Sequence, residues 1–292
     1  MKKIWLDTDI GSDIDDALAL AFLLARGDCE LVGISTTTEV GLERAQLASA
    51  LCRVAGKSVP IFPGATRPLL VAPRQTEVPQ RIALERWPHD EAFPDLPAAL
   101  ALRDAIRRHP GEITLLAIGP MTNLAAAFAL DEELPALLGE LVLMCGVFQI
   151  REGENGREWN ASLDPHATEM TYRACAPRHF SVGLDVTTQV TMEREAFLAA
   201  CAGHELLRCV TDLAAAWFGH TPRVTFHDPL AAATLFDRQI CREARGRVEI
   251  ETQSEKLGGY ASWQRDASGP HLIAVEVDAA RFFEAFFGVF ES

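Results

Sequence analysis

The 292-residue chain carries 41 Asp and Glu against 27 Lys and Arg, a net charge of −14, which argues against nucleic acid or an anionic membrane surface as a partner. With 48% hydrophobic and 23% charged residues the composition is that of a globular protein with a sizeable core, and it excludes a disordered or fibrous chain. The seven cysteines, Cys29, Cys52, Cys145, Cys175, Cys201, Cys209 and Cys241, are odd in number and lack a C-x-x-C pair, which predicts reduced thiols in a cytoplasmic protein.

At the amino terminus, MKKIWLD reaches Asp7 after three apolar residues, too few for the core of an export signal. The longest apolar run, 17–25, falls well short of the roughly 20 residues that span a bilayer. Further along, short apolar stretches of buried-strand character alternate with longer ones of helical period. KIWLD precedes DDALALAFLLAR, ELVGIST precedes GLERAQLASALCRVAG, and EITLLAI precedes MTNLAAAFAL. This alternation predicts an α/β fold, a single domain over 1–292 with a mainly parallel central sheet flanked by helices. The stretch 67–97 is proline-rich, of mixed charge and weakly periodic, either a mobile flap or a structured surface insertion without catalytic role. ELVLMCG, HFSVGLD, RVEIET and HLIAVEV supply further strands, and 165–176, 205–218, 229–236 and 279–287 read as helices. Residues 153–157 and 256–270 read as loops. Ligands of such sheets gather at the carboxyl ends of the strands, so the loops leaving them are where chemistry is expected.

Directly after the first strand, five carboxylates fall within ten residues: Asp7, Asp9, Asp13, Asp15 and Asp16. Like charges this close repel and raise one another's pKa unless a cation or strong donors neutralise them. A hard divalent cation suits an all-oxygen set, and Ca²⁺, which takes roughly six to eight oxygens in irregular geometry, suits it better than Mg²⁺. The helix beginning near Ala17 would use one of the five as a cap. The spacing is not that of an EF-hand. It matches the D-x-D-x-T loop of aspartate-nucleophile phosphatases only in part, because Gly11 stands where the Thr belongs.

The strand followed by DTDIGSDIDDALAL resembles the signature of the inosine-uridine-preferring nucleoside hydrolases. LAIGPMTNLA at 116–125 resembles that family's strand-end loop, EWNASLDPHA at 158–167 its ribose-binding segment, and FHDPLAAA at 226–233 its second metal-binding segment. These occur in family order, and VLMCG, GLDVT and a G-G-x(5)-R pattern ending at Arg265 extend the match over nearly the whole chain. The resemblance implies calcium-dependent hydrolysis of the N-glycosidic bond of ribonucleosides to ribose and free base by a homo-dimer or homo-tetramer. In it, Ca²⁺ holds a water and two ribose hydroxyls.

By the same resemblance Asp9, Asp15, Asp16 and Asp228 supply carboxylate oxygens to the metal, directly or through water, and the carbonyl of Ile118 supplies another. Asp9 is also the general base. Asp15, Asp228, Glu158, Asn160 and Asn155 are the substrate contacts, with Glu158 at the 5′-hydroxyl. His227, next to Asp228, would protonate the departing base, orient Asp228 or stack on the base. Trp159 would line the pocket or pack in the core. Asp13 is left beside the ligand set, because one extra residue separates Gly11 from Asp15 and Asp16. The chain departs from the family pattern at ISTTTEVGLERA, which lacks the Gly-Asn turn and leaves Thr37 or Thr38 to replace it, and at 67–97, which lacks H-G-x-x-G. Two other readings stand beside this one: a Mg-dependent phosphatase using Asp7 or Asp9, and a nucleoside- or ribose-binding protein without turnover.

Overall fold

Strands that are apolar on both faces need cover on both faces, and helices returning between parallel strands provide it. The computed structural model describes residues 1–149, 156–219 and 221–291. Its first half runs β1 (Lys2–Thr8), α1 (Asp15–Ala25), β2 (Cys29–Thr36), α2 (Gly41–Val54), β3 (Ile61–Pro63), α3 (Ala98–Arg108), β4 (Ile113–Ala117), α4 (Thr122–Leu130), α5 (Leu134–Leu137) and β5 (Glu140–Met144). There follow α6 (Trp159–Leu163), α7 (Pro165–Arg173), β6 (His179–Val182), α8 (Leu184–Thr187), β7 (Thr191–Glu193), α9 (Arg194–Cys201), α10 (Glu205–Trp217) and β8 (Arg223–Thr225). The chain ends with α11 (His227–Thr234), β9 (Cys241–Ile250), β10 (Ala261–Arg265), β11 (His271–Val277) and α12 (Ala279–Gly288).

Nine of these strands form one sheet in the order β10-β9-β11-β6-β5-β4-β1-β2-β3. Every pairing from β11 to β3 is parallel, and β9 runs antiparallel to both its neighbours. The sheet is mainly parallel and flanked by helices, as the sequence predicts. From β1 the chain steps outward to β2 and β3, then returns to the other side of β1 as β4. That reversal opens a crevice at the carboxyl ends of β1 and β4, the place where open α/β sheets bind ligands.

A separate apolar core lies on each face of the sheet. Helix α1 has no polar stripe, because every residue from Asp15 to Leu24 is buried, packed against α2, α10 and α11. Its two aspartates are therefore carried into the interior by the apolar helix behind them. At the other face Trp5 lies over Gly33, where an added Cβ would meet the indole at 2.4 Å, and it stacks on Phe62 with centroids 5.6 Å apart.

Two readings need correction. The stretch 256–270 is not all loop: Ala261–Arg265 forms β10, whose polar Ser262, Gln264 and Arg265 conceal an edge strand zipped to β9. The helix expected at 229–236 starts earlier, so His227 and Asp228 occupy the first turn of α11. Among the elements the periodicity did not reveal are the short β3 and the amphipathic α3 and α9. The stretch 67–97 is the structured alternative rather than a loose flap. It includes a 3-10 segment, Pro79–Glu85, and is tied down by Arg53 to Asp90, by Trp87 Nε1 to Asp212 at 2.9 Å and by Leu69 N to Asp164 Oδ2 at 2.9 Å.

Candidate active site

The turn leaving β1 is held by backbone chemistry before any ligand is considered. Gly11 sits at φ 125°, and a Cβ there would come within 2.5 Å of Val78 Cγ1, so only glycine closes this turn without displacing its neighbour. Buried Arg44 of α2 donates from Nη1 to the carbonyls of Asp9 and, at 2.9 Å, Ile10. Thr8 Oγ1 donates to Asp16 and accepts from Ile10 N at 3.1 Å. Asp228 N donates to Asp15 Oδ2 at 3.3 Å, joining the first turns of α11 and α1.

This brings together Asp15, Asp16 and Asp228, whose carboxylate oxygens lie within 4.8 Å of one another with all three residues buried. Burial, then the neighbouring carboxylates, hold each of them well above the usual carboxylate range. Asp13, half-buried at the same rim, is pushed up to about 7, chiefly by burial. Converging hard oxygens with no cationic side chain among the three fit a hard divalent cation, since its charge would remove the repulsion that raises these pKa values.

A cavity of about 480 Å³ stands over this floor, the size of a small-molecule site. Asp9 lines it outside the group of three, its Oδ2 accepting from Gln75 Nε2 at 2.7 Å; burial raises its pKa, and the Arg44 charge opposes that. Asn160 Nδ2 donates to the carbonyls of Ile118 (2.8 Å) and Met144 (3.1 Å), tying together the ends of β4 and β5. Among the described residues its Oδ1 accepts no hydrogen bond. The Ile118 carbonyl keeps a second lone pair for a ligand.

Glu158 is both a cavity wall and the cap of α6. Its Oε1 accepts from Asn160 N (2.6 Å), and its Oε2 from Ala161 N (2.9 Å) and Gly146 N (3.3 Å). Burial still raises its pKa against those three donors. His227 lines the cavity with Nδ1 2.7 Å from Thr187 Oγ1, and burial pushes its pKa down to about 4. Burial thus favours the neutral ring over the imidazolium.

Away from the floor the wall is apolar: Pro79, Leu184, Ala216, Trp217 and Trp159, the last 53% exposed with the Arg74 guanidinium 5.4 Å from its ring. Asp7 is elsewhere, behind the sheet end, bound by Ser35 Oγ and by Asn123 Nδ2 at 2.8 Å and pushed up to about 7 by burial. Thr37 and Thr38 are buried and do not line the cavity. Asn155 lies outside the described residues.

Sequence reasoning missed Ser12, Gln75, Met144 and Trp217 on the wall. Ser12 and Met144 fall within the segments DTDIGSDIDDALAL and VLMCG without a residue type that marks them, whereas Gln75 and Trp217 carry no local signal and reach the site through tertiary packing.

The sequence profile described as inosine-uridine preferring nucleoside hydrolase matches residues 4–284. A non-specific ribonucleoside hydrolase, RihC, of Escherichia coli (strain SMS-3-5 / SECEC) is 31% identical over 94% of this chain and 93% of its own length. Uridine nucleosidase 1 of Arabidopsis thaliana is 27% identical over 88% and 80%. In fold, the purine-preferring ribonucleoside hydrolase from Gardnerella vaginalis superposes with a TM-score of 0.86 at 24% identity, covering 99% of this chain and 98% of that one. The chain belongs to the inosine-uridine preferring nucleoside hydrolase family, enzymes that hydrolyse N-glycosidic bonds.

Proposed function

We propose that the protein hydrolyses ribonucleosides to ribose and free base with Ca²⁺ held by Asp15, Asp16 and Asp228, assisted by Asp9 and the Ile118 carbonyl. The observation that carries this reading is the convergence of three buried carboxylates beneath a cavity also lined by Asp9, Glu158, Asn160 and His227. When bound, the cation supplies Lewis acidity that makes a water more acidic and orients sugar hydroxyls. The test is release of reducing sugar from a panel of purine and pyrimidine nucleosides, with the metal content of the purified protein measured alongside. The same reading takes the enzyme to be a cytoplasmic homo-dimer or homo-tetramer, on the strength of family membership.

In this mechanism Asp9 accepts the proton of the water that attacks the anomeric carbon, and the C–N bond electrons leave with the base. Gln75 fixes one oxygen of Asp9, leaving the other for the water. As positive charge develops on the sugar, the carboxylates beneath the ring stabilise it without reorganising. Asn160 Oδ1 and the remaining lone-pair capacity of Glu158 accept from ribose hydroxyls, and Asn155 is kept as a further sugar contact.

The neutral state of His227 shapes its part. In the tautomer whose Nδ1 accepts from Thr187, Nε2 carries the proton and donates a hydrogen bond to the negative charge growing on the base. A neutral ring polarises the leaving group as an electrophile, with final protonation left to solvent. The apolar upper wall, Trp159 and Trp217 included, suits the flat face of a base.

A further inference from the structure

Gln75 brings the 67–97 segment into the floor of the cavity, and its hydrogen bonds are incomplete. Its Nε2 donates to Asp9 Oδ2 at 2.7 Å and to Ser12 Oγ at 2.9 Å. An ionised carboxylate only accepts, so the amide must present its NH₂ to Asp9 and turn its oxygen away. That oxygen, Oε1, is buried without a partner among the described residues, in a residue that is only 8% exposed and lines the cavity. A buried acceptor without a donor is costly, and the cost is recovered when a donor arrives.

The chain on either side of Gln75 is fastened to elements of the site, α6 and the turn after β1. Arg74 Nη2 donates to the carbonyl and hydroxyl of Ser162, the latter at 2.9 Å. Gln80 N donates to the Gly11 carbonyl at 3.2 Å, and Gln80 Nε2 to that of Asp13 at 2.6 Å. Oε1 is thus held in place before any ligand enters, which is what precise positioning of a substrate requires.

We propose that Gln75 is a sugar-recognition residue, its Oε1 accepting a hydrogen bond from one ribose hydroxyl while its Nε2 holds Asp9 in the orientation used for attack. This rests on the ribonucleoside reading above. It gives the 67–97 segment a role in selecting the sugar as well as in covering the site, and it makes a ribonucleoside the preferred ligand over the analogue lacking the contacted hydroxyl.

The test compares wild type with Gln75→Leu, which keeps the bulk and removes both polar ends. The substrates are the best-cleaved of adenosine, inosine and uridine, together with its 2′-, 3′- and 5′-deoxy analogues. Where an analogue is not turned over, its competitive inhibition constant replaces kcat/KM. The expected result is a fall of about 10- to 100-fold on the ribonucleoside that shrinks by at least about 3-fold on one of the three analogues. The lost hydroxyl and the lost acceptor are then partners. A fall of the same size on all four substrates, or no fall, overturns the proposal. If Gln75→Leu does not fold, by melting curve, Gln75→Asn is read in the same way, because it withdraws the amide by one methylene. Failure of the wild type to cleave any of the three ribonucleosides would instead sink the underlying function and is seen before any variant is made.

Discussion

Two groups of buried polar side chains lie on this sheet, and they spend their bonding capacity in opposite ways. In one, Tyr172 and His179 both bond Ser181 Oγ at 2.7 Å, while His271 accepts from Val248 N at 2.9 Å and donates to the Tyr172 carbonyl at 3.0 Å. The rings pack with centroids 4.9–5.3 Å apart. This group is neutral and pairs most of its polar atoms with its own members or the backbone beside them, leaving His179 Nδ1 without a partner among the described residues. In the other, Asp15, Asp16 and Asp228 converge on one space with charges of one sign. Asp9 beside them has its fixed oxygen bound, among the described residues, by Gln75 alone. Burial of polar atoms is common to both, so burial alone does not mark a site. Several like-charged acceptors converging on one cavity do.

The contrast is broken most severely by Asp228→Ala. Removing one of the three floor carboxylates should cost on the order of 10⁴-fold in kcat/KM and abolish the rise in melting temperature that Ca²⁺ gives the wild type. A variant still stabilised by Ca²⁺ and nearly as active would place the cation elsewhere. Next in size is discrimination at the 5′ end. A nucleoside 5′-monophosphate brings negative charge into a cavity already lined by Glu158 and five aspartates, and should be cleaved about 10³-fold less efficiently than the nucleoside. Comparable efficiencies would remove Glu158 from the 5′ position.

His227→Ala comes third. It should slow natural nucleosides about 10²-fold while sparing a nitrophenyl riboside, whose leaving group needs no help. Equal losses on both would assign the ring to structure.

The smallest effect sharpens the other side of the comparison. Burial holds His179 well below its usual 6.5 and lowers His271 as well. Below pH 6.5 the unfolded chain takes up protons that the folded chain refuses, so these two contribute a loss of stability as pH falls, and nothing above that range. His179→Gln should therefore narrow the drop in melting temperature between pH 7.5 and 5 by a few degrees at about unchanged activity. An unchanged drop would show that His179 protonates freely in the folded protein.

How much of this was legible in the sequence depended on how local the signal was. Five aspartates in ten residues announce themselves, because no ordinary turn tolerates that charge, and Asp228 was found through a segment of recognisable pattern. The parallel sheet was visible because strands such as β4 are apolar at every position but one and are buried throughout. Gln75 was not visible: a glutamine in a proline-rich stretch carries no periodic signal, and its meaning comes from Asp9, 66 residues away. Glu158 was legible as a residue of the site but not as the cap of α6, since that role requires knowing where a five-residue helix begins. β10 was hidden because an edge strand is half solvated and polar by nature.

The most direct test of the central claim is a calcium titration of chelator-stripped protein, with bound cation and reducing sugar from a cleaved nucleoside followed together. The account predicts about one Ca²⁺ per chain at saturation, with turnover absent before addition and rising in step with occupancy. Full turnover in excess chelator, with no divalent ion found on the protein, would contradict it.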